Sequence, residues 1–365
     1  MTIYRPSGPL ERWQRISTIG LFFLAFLACL YVARDVFVPV FGAILLDFMF
    51  SPLIRPAIRY GIPGPIMAAL VILLLLGIIG GATMAVSQPA LDWVDRMPRI
   101  SRQLEHKFRP VRESVEHVQK ASAEVMNITG GGDKKSSKTV VTTNPGVMDR
   151  VVDSIPQVGI QILMMLVLLY FLLAAGDMFK EKTVRLMPTF RDKRAVVRIL
   201  MTIEKEVSNY LVTIMLINAG LGLTIGLGLY AIGLKNAVFW GILAMGLNFI
   251  PYVGFLVGVT VVTIAAVLQF PDITNALMAP AVYSASNFLE SSFITPSMLG
   301  RRFTINTVVM FLSIALWTWL WGVPGALMAV PLTVVLNVIC SHVPALAPLH
   351  EYLSGKGGGR NPVIT

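Results

Sequence analysis

Of the 365 residues, 55% are hydrophobic and only 14% are charged, with a mean hydropathy of +0.71, whereas soluble domains carry about 25% charge. That balance excludes an ordinary soluble domain, and the continuous, non-alternating apolar runs exclude a β-barrel. A net charge of +10 does not mark a nucleic-acid binder here, because the basic residues sit in short clusters beside the apolar runs, where they orient a membrane protein. The expected fold is an all-α integral membrane protein with about eight transmembrane helices plus a re-entrant hairpin near 237–269.

Residues 1–86 form an N-terminal three-helix membrane segment, with spans near 16–33, 36–50 and 64–86. Arg5, Arg12 and Arg15 precede the first span, and Cys29-Leu30-Tyr31-Val32-Ala33 runs into Arg34 and Asp35 without a small-residue cleavage site. The first run therefore reads as an uncleaved helix. Arg55 and Arg59 follow the second span. Asp47, shortly before Ser51-Pro52, reads as an acid near the cytoplasmic interface, with a pathway role as the less favoured alternative.

Residues 87–155 are the main extramembrane segment, expected outside the cytoplasm. Val94, Ile100, Leu104, Phe108, Val111, Val115 and Val118 recur at roughly helical spacing, which suggests an amphipathic helix or helix pair packing on itself or on a neighbouring subunit, so a homo-oligomer is expected. Gly130-Gly131-Gly132-Asp133 and the following Lys/Ser run have the composition of a flexible loop. His106 and His117 share a helical face without a third ligand, so no metal is expected. Residues 156–206 hold the fourth span, near 156–175, and then an amphipathic stretch, 177–206, whose basic residues from Lys180 to Lys205 suit the cytoplasmic interface.

From Val207 to Ser341 the only charged residues are Lys235, Asp272, Glu290, Arg301 and Arg302. This is the expected transport core, with spans near 207–232, 273–290, 305–321 and 323–340. The segments 237–250 and 253–269 are too short to cross comfortably, and Pro251-Tyr252-Val253-Gly254 between them stops one helix and permits a turn. A re-entrant hairpin entering from outside fits, and it leaves the basic clusters, both termini and the 342–365 tail cytoplasmic. Gly322-Val323-Pro324-Gly325 separates the last two segments, which read either as two crossings or as a second hairpin. Cys29 and Cys340, both within apolar spans, argue against a disulfide framework.

Glu290 lies in an otherwise apolar block, and an intramembrane acid usually faces protein interior or a water-filled path. It is the candidate for proton or sodium coupling, against the alternative of an interfacial carboxylate beside Arg301 or Arg302. The Pro251 break offers helix ends near the membrane interior, and Asn248 and Tyr252 flank it with side chains able to bind a polar solute. A tight turn capped by Asn is the competing account. Asn209, Asn218 and Asn287 could line a path or hydrogen-bond between helices. Gly222 with Gly226, and Gly254 with Gly258, have the spacing of close helix packing. With no phosphate-binding loop, zinc-protease motif or nucleophile elbow, neither an enzyme nor a cofactor is expected.

Four elements resemble the autoinducer-2 exporter family of bacterial transporters. They are Asn248-Phe249-Ile250-Pro251-Tyr252-Val253-Gly254; Glu290-Ser291-Ser292-Phe293-Ile294-Thr295-Pro296-Ser297-Met298-Leu299-Gly300; Gly322-Val323-Pro324-Gly325-Ala326-Leu327-Met328-Ala329-Val330-Pro331-Leu332; and, more weakly, Ser51-Pro52-Leu53 with Gly61-Ile62-Pro63. Ser292 stands where the family usually has Asn, and Asn306-Thr307 where it often has a small residue and Pro. The resemblance implies a multi-pass protein of the bacterial inner membrane that exports small polar molecules, with signalling compounds proposed for some members and sodium/proton antiport for others. Asn248, Pro251, Tyr252, Gly254, Asn287, Glu290 and Pro296 are then the candidate solute or ion pathway. A membrane scaffold acting through 87–155 is the alternative from a different class.

Overall fold

The computed structural model of the chain describes residues 9–89, 93, 147–251, 253–299, 306–343 and 346–355. Most of the extramembrane segment, both histidines within it, Tyr252, Arg301 and Arg302 lie outside the described residues. Helix is the regular structure throughout, and no strand occurs among the described residues. In chain order the helices are α1 (Pro9–Val32), α2 (Arg34–Arg59), α3 (Gly64–Pro89), α4 (Val147–Ala175), α5 (Met178–Arg185), α6 (Phe190–Ala231), α7 (Ala237–Leu247), α8 (Val253–Gln269) and α9 (Ile273–Leu289). A π-helical turn, Glu290–Ile294, then leads into α10 (Thr295–Leu299), followed by α11 (Thr307–Trp321), α12 (Val323–His342) and α13 (Ala347–Leu353). Five of these (α2, α3, α4, α6 and α12) are long and apolar enough to cross a membrane, and α7, α8 and α11 are shorter apolar helices.

The sides turned outward are apolar. Phe22 is 74% exposed, Phe171 60% and Leu223 64%, the inverse of a water-soluble surface. Lipid tails solvate such faces, while the helix satisfies its own backbone groups.

Two differences from the hydropathy reading have a local cause. The second helix does not stop near residue 50 but continues through Pro52 and Pro56 to Arg59. Proline is tolerated in membrane helices where neighbouring groups re-satisfy the freed carbonyls. The helix ends instead at Gly61, whose φ of 90° suits a residue without Cβ. There the Gly61 amide donates to the Ile58 carbonyl and the Ile62 amide to Ala57, the paired bonds that close a Schellman turn. The stretch 177–206 is likewise divided between two helices, the second of which continues into the apolar span. After the short α5, Thr189 accepts from the Asp192 amide at 3.1 Å and starts α6, which then runs 42 residues without interruption. No Gly or Pro occurs between Phe190 and Ile217 to stop it. At 1.5 Å per residue its 42 residues correspond to about 63 Å of helix, roughly twice the ~30 Å of a hydrocarbon layer.

By contact the chain forms two units, made from the described residues of Met1–Leu76, Pro156–Leu216 and Thr295–Thr365, and of Gly77–Ile155 and Ile217–Ile294. The grouping cuts across the sequential blocks of the hydropathy reading. In the first unit α2 is the shared element: Ala43, Phe50 and Ile54 pack on α3 and α4, Val38 on α1, α11 and α12, and Leu45 on Ile203 and Val207 of α6 and Val334 and Val338 of α12. The indole of Trp321 donates to the Leu30 carbonyl at 3.1 Å, which fastens α11 to α1.

The second unit packs the C-terminal half of α6 with α7, α8 and α9 around Ile225, Leu229, Trp240, Ala266, Ala279 and Tyr283. Small residues set its spacing. A Cβ on Gly222 would lie 2.6 Å from the Gly241 carbonyl, and one on Gly241 2.6 Å from the Gly222 carbonyl, so α6 and α7 touch backbone to backbone. The Tyr283 hydroxyl occupies the place that a Cβ on Gly258 would need. Close packing is therefore what both glycine pairs do. At one end of the unit Gln269 bridges the α6–α7 turn, accepting from the Lys235 amide at 2.8 Å and donating to the Gly233 carbonyl at 2.7 Å.

Candidate functional site

In the second unit consecutive helices reverse direction, so its two ends differ. One end holds Lys235, Gln269 and Asp272. The α7–α8 turn, the last turn of α9 and the part of α6 about four turns before its C-terminus converge at the opposite end, where α6 contributes Asn218. Asn248, Pro251, Gly254, Asn287 and Glu290 all belong to that end, together with Asn218.

The α7–α8 turn is tight. The Phe249 amide donates to Gly246, Ile250 to Leu247, Val253 to Pro251 and Gly254 to Ile250, so these amides are satisfied locally. Gly254 is buried, and a Cβ there would sit 1.9 Å from the Leu247 carbonyl oxygen; α8 starts against the end of α7 only because this residue is glycine. Pro251 and Asn248 are half-buried. Asn248 does not merely cap the turn: its Nδ2 donates to Asn218 Oδ1 on α6 at 2.8 Å. Asn218 is 0% exposed, and its own Nδ2 has no hydrogen-bond partner. A buried donor left in this state costs about 1–3 kcal/mol.

On α9, Asn287 is buried and donates from Nδ2 to the Tyr283 carbonyl at 2.9 Å. One turn later Glu290, 8% exposed, opens the π-helical turn. Such turns are rare and recur at functional sites. The carboxylate is thus buried against protein, whereas Ser291, Ser292 and Phe293 after it are exposed. Pro296, in α10, is exposed and groups with the first unit. Asn209 is exposed as well, away from the helix face that carries Asn218.

A second polar centre, absent from the sequence reading as a cluster, lies in the first unit. Glu204 of α6, 7% exposed, pairs with Arg55 of α2 and with Lys180 of α5 at 2.7 Å. Asp177, before α5, pairs with Lys180 at 2.9 Å and Arg55 at 3.2 Å. Half-buried Asp47, two turns before Arg55 on α2, lies within electrostatic reach of all four. The hydrogen bond from Lys180 holds the Asp177 carboxyl below its ordinary value, with the nearby positive charges of Lys180 and Arg55 acting in the same direction against partial burial. Arg55 therefore does more than orient the chain. The available signal was phase: Glu204 shares the α6 face of Val207 and Leu211, both packed inward.

The sequence model of the AI-2E family transporters matches residues 21–345. A putative transport protein of Escherichia coli strain K12, YhhT, is 24% identical over 314 residues, 86% of each chain. The AI-2 transport protein TqsA of the same organism is 26% identical over 307 residues, covering 84% of this chain and 86% of that one. A putative transport protein of Borreliella burgdorferi is 29% identical over 190 residues, 52% of each.

Proposed function

The chain belongs to the AI-2E family of transporters, and from that premise we propose that it exports a small polar solute across the bacterial inner membrane, driven by a proton or sodium gradient through Glu290. A membrane transport role follows from the family; direction, solute and coupling are the proposal. The observation that carries it is the gathering of Asn218, Asn248, Asn287 and Glu290 at the end of the second unit opposite Lys235, Gln269 and Asp272. Burying such groups in a membrane protein is costly, and they mark solute and ion paths.

The hairpin reading is supported by length. α7 has 11 residues and reaches about 16 Å, roughly half the hydrocarbon thickness of ~30 Å, so the turn at Pro251 stops inside the membrane when α7 enters from the Lys235 end. Discontinuous helices meeting near the midplane are a recurrent way to build a transport site. Positive-inside orientation puts both termini in the cytoplasm in this reading. Sodium/proton antiport is the second reading, favoured by the same buried carboxylate, and self-association into a homo-oligomer belongs to either. The relative TqsA is named for AI-2, which makes that signalling compound the first solute to try.

The test is a proteoliposome assay of the full chain with an imposed proton or sodium gradient and a luminal pH dye, comparing wild type with Glu290→Gln. Dissipation that requires Glu290 is expected. Equal rates in the two proteins would remove the coupling role. AI-2 flux in the same vesicles separates export from antiport.

A further inference from the structure

Asn218 stands apart from the other buried polar residues. Asn287 spends its amide N–H on the Tyr283 carbonyl, and Thr333 is bonded to Ser313 and to the Ala329 carbonyl. Asn218 accepts from Asn248 and leaves its own N–H donor without a partner at 0% exposure. Its neighbours on the inward face of α6 are Leu221, Ile225 and Leu229, none of which offers an acceptor. Tying α6 to α7 needs one bond, and the Gly222–Gly241 contact already holds these helices together. An unsatisfied amide in such a place calls for an explanation beyond packing.

Resting on the transport reading above, we propose that the Asn218–Asn248 pair is a solute-binding point, in which the Asn218 amide donates to an oxygen of the transported molecule. The chemistry narrows the solute. An N–H donor selects a hydroxyl or carbonyl oxygen and does not ligate a metal cation, so this point recognises the organic solute while the carboxylate of Glu290 serves the ion. Asn248 is the C-cap of α7, so the residue bonded to Asn218 stands at the border of the α7–α8 turn. Position agrees: the pair lies at the end of the second unit that also holds Pro251, Asn287 and Glu290.

The experiment reads water access without needing the solute. In a full-length Cys29→Ala, Cys340→Ala background, reconstituted in vesicles, Asn218→Cys is treated with 2-aminoethyl methanethiosulfonate. Ile225→Cys, equally buried two turns along the same face, is the comparison. The Asn218→Cys thiol is expected to react at least about tenfold faster, the difference between a hydrated position and one reached by local opening alone. Equal rates overturn the proposal and leave a structural pair. If Asn218→Cys does not insert, Leu221→Cys, next along the face, is compared with Ile225→Cys under the same criterion. AI-2 flux measured in parallel keeps the two readings distinct: fast labelling without flux of any tested solute removes export and retains a hydrated polar site, whereas flux with equal labelling rates retains transport and removes Asn218 from the path.

Discussion

At the scale of single residues, the polar groups of this chain are few enough that each has a separable consequence. Glu204 is buried between two partly exposed cations. Glu204→Ala leaves Arg55 and Lys180 facing a site without their main partner, and removing one member of such a pair costs about 1–3 kcal/mol when the survivors retain some water. A lower thermal midpoint in detergent, partly restored in Glu204→Gln, is the expected result. Asp177 contributes differently. Its folded pKa lies below the ordinary value, so its stabilising effect is present above the unfolded-state pKa and is lost as pH falls through the lowered folded value. Unfolding midpoints of wild type and Asp177→Asn should accordingly differ at neutral pH and converge in acid, and a gap that persists unchanged at acidic pH would contradict the assignment. The pairs themselves were not legible, because Arg55, Asp177, Lys180 and Glu204 are spread over 150 positions and only packing of three helices joins them.

At the scale of elements, glycine contacts decide whether the second unit closes. A Cβ at Gly254 would meet the Leu247 carbonyl, which is backbone and cannot rotate away, and overpacking of this kind costs about 1–3 kcal/mol. Gly254→Ala is expected to destabilise the protein and slow flux, since α8 must separate from α7. Gly222→Ala, directed at the Gly241 carbonyl, should destabilise in the same range. Gly80→Ala, where nothing lies within 4 Å, is the control: alanine favours helix over glycine by up to about 1 kcal/mol, so its thermal midpoint should hold or rise. Most helix ends were readable from hydrophobic length, because a span must match the membrane. The continuity of α6 is written in its lack of breakers, whereas the change from charged to apolar composition near Val207 marks a change of surroundings and leaves the backbone helical. The π turn at Glu290 left no sequence signal, as no residue type is required for one extra residue in a turn.

At the scale of the whole molecule, transport depends on helices whose outer faces dissolve in lipid and whose inner faces hold a few polar groups. Replacing Glu290 by Gln keeps size and removes charge, so the variant should insert and unfold much like wild type while losing its response to an imposed gradient. A variant that loses both insertion and gradient response would point to a structural carboxylate instead.

The sequence alone determined that this is an all-helical membrane protein, roughly where the spans lie, that the chain bends at Pro251, and that Glu290 falls at the end of an apolar run. Those features are local: hydrocarbon thickness dictates length, proline and glycine dictate breaks, and desolvation makes an isolated charge conspicuous. Only the tertiary structure decided that Asn248 bonds Asn218, that Glu204 gathers Arg55 and Lys180, that the glycine pairs bring helix backbones into contact, and that Pro296 groups apart from the other candidates. These are pairings between residues distant along the chain, chosen by how helices reverse and interlock, and hydropathy carries no record of which polar side chain will meet which.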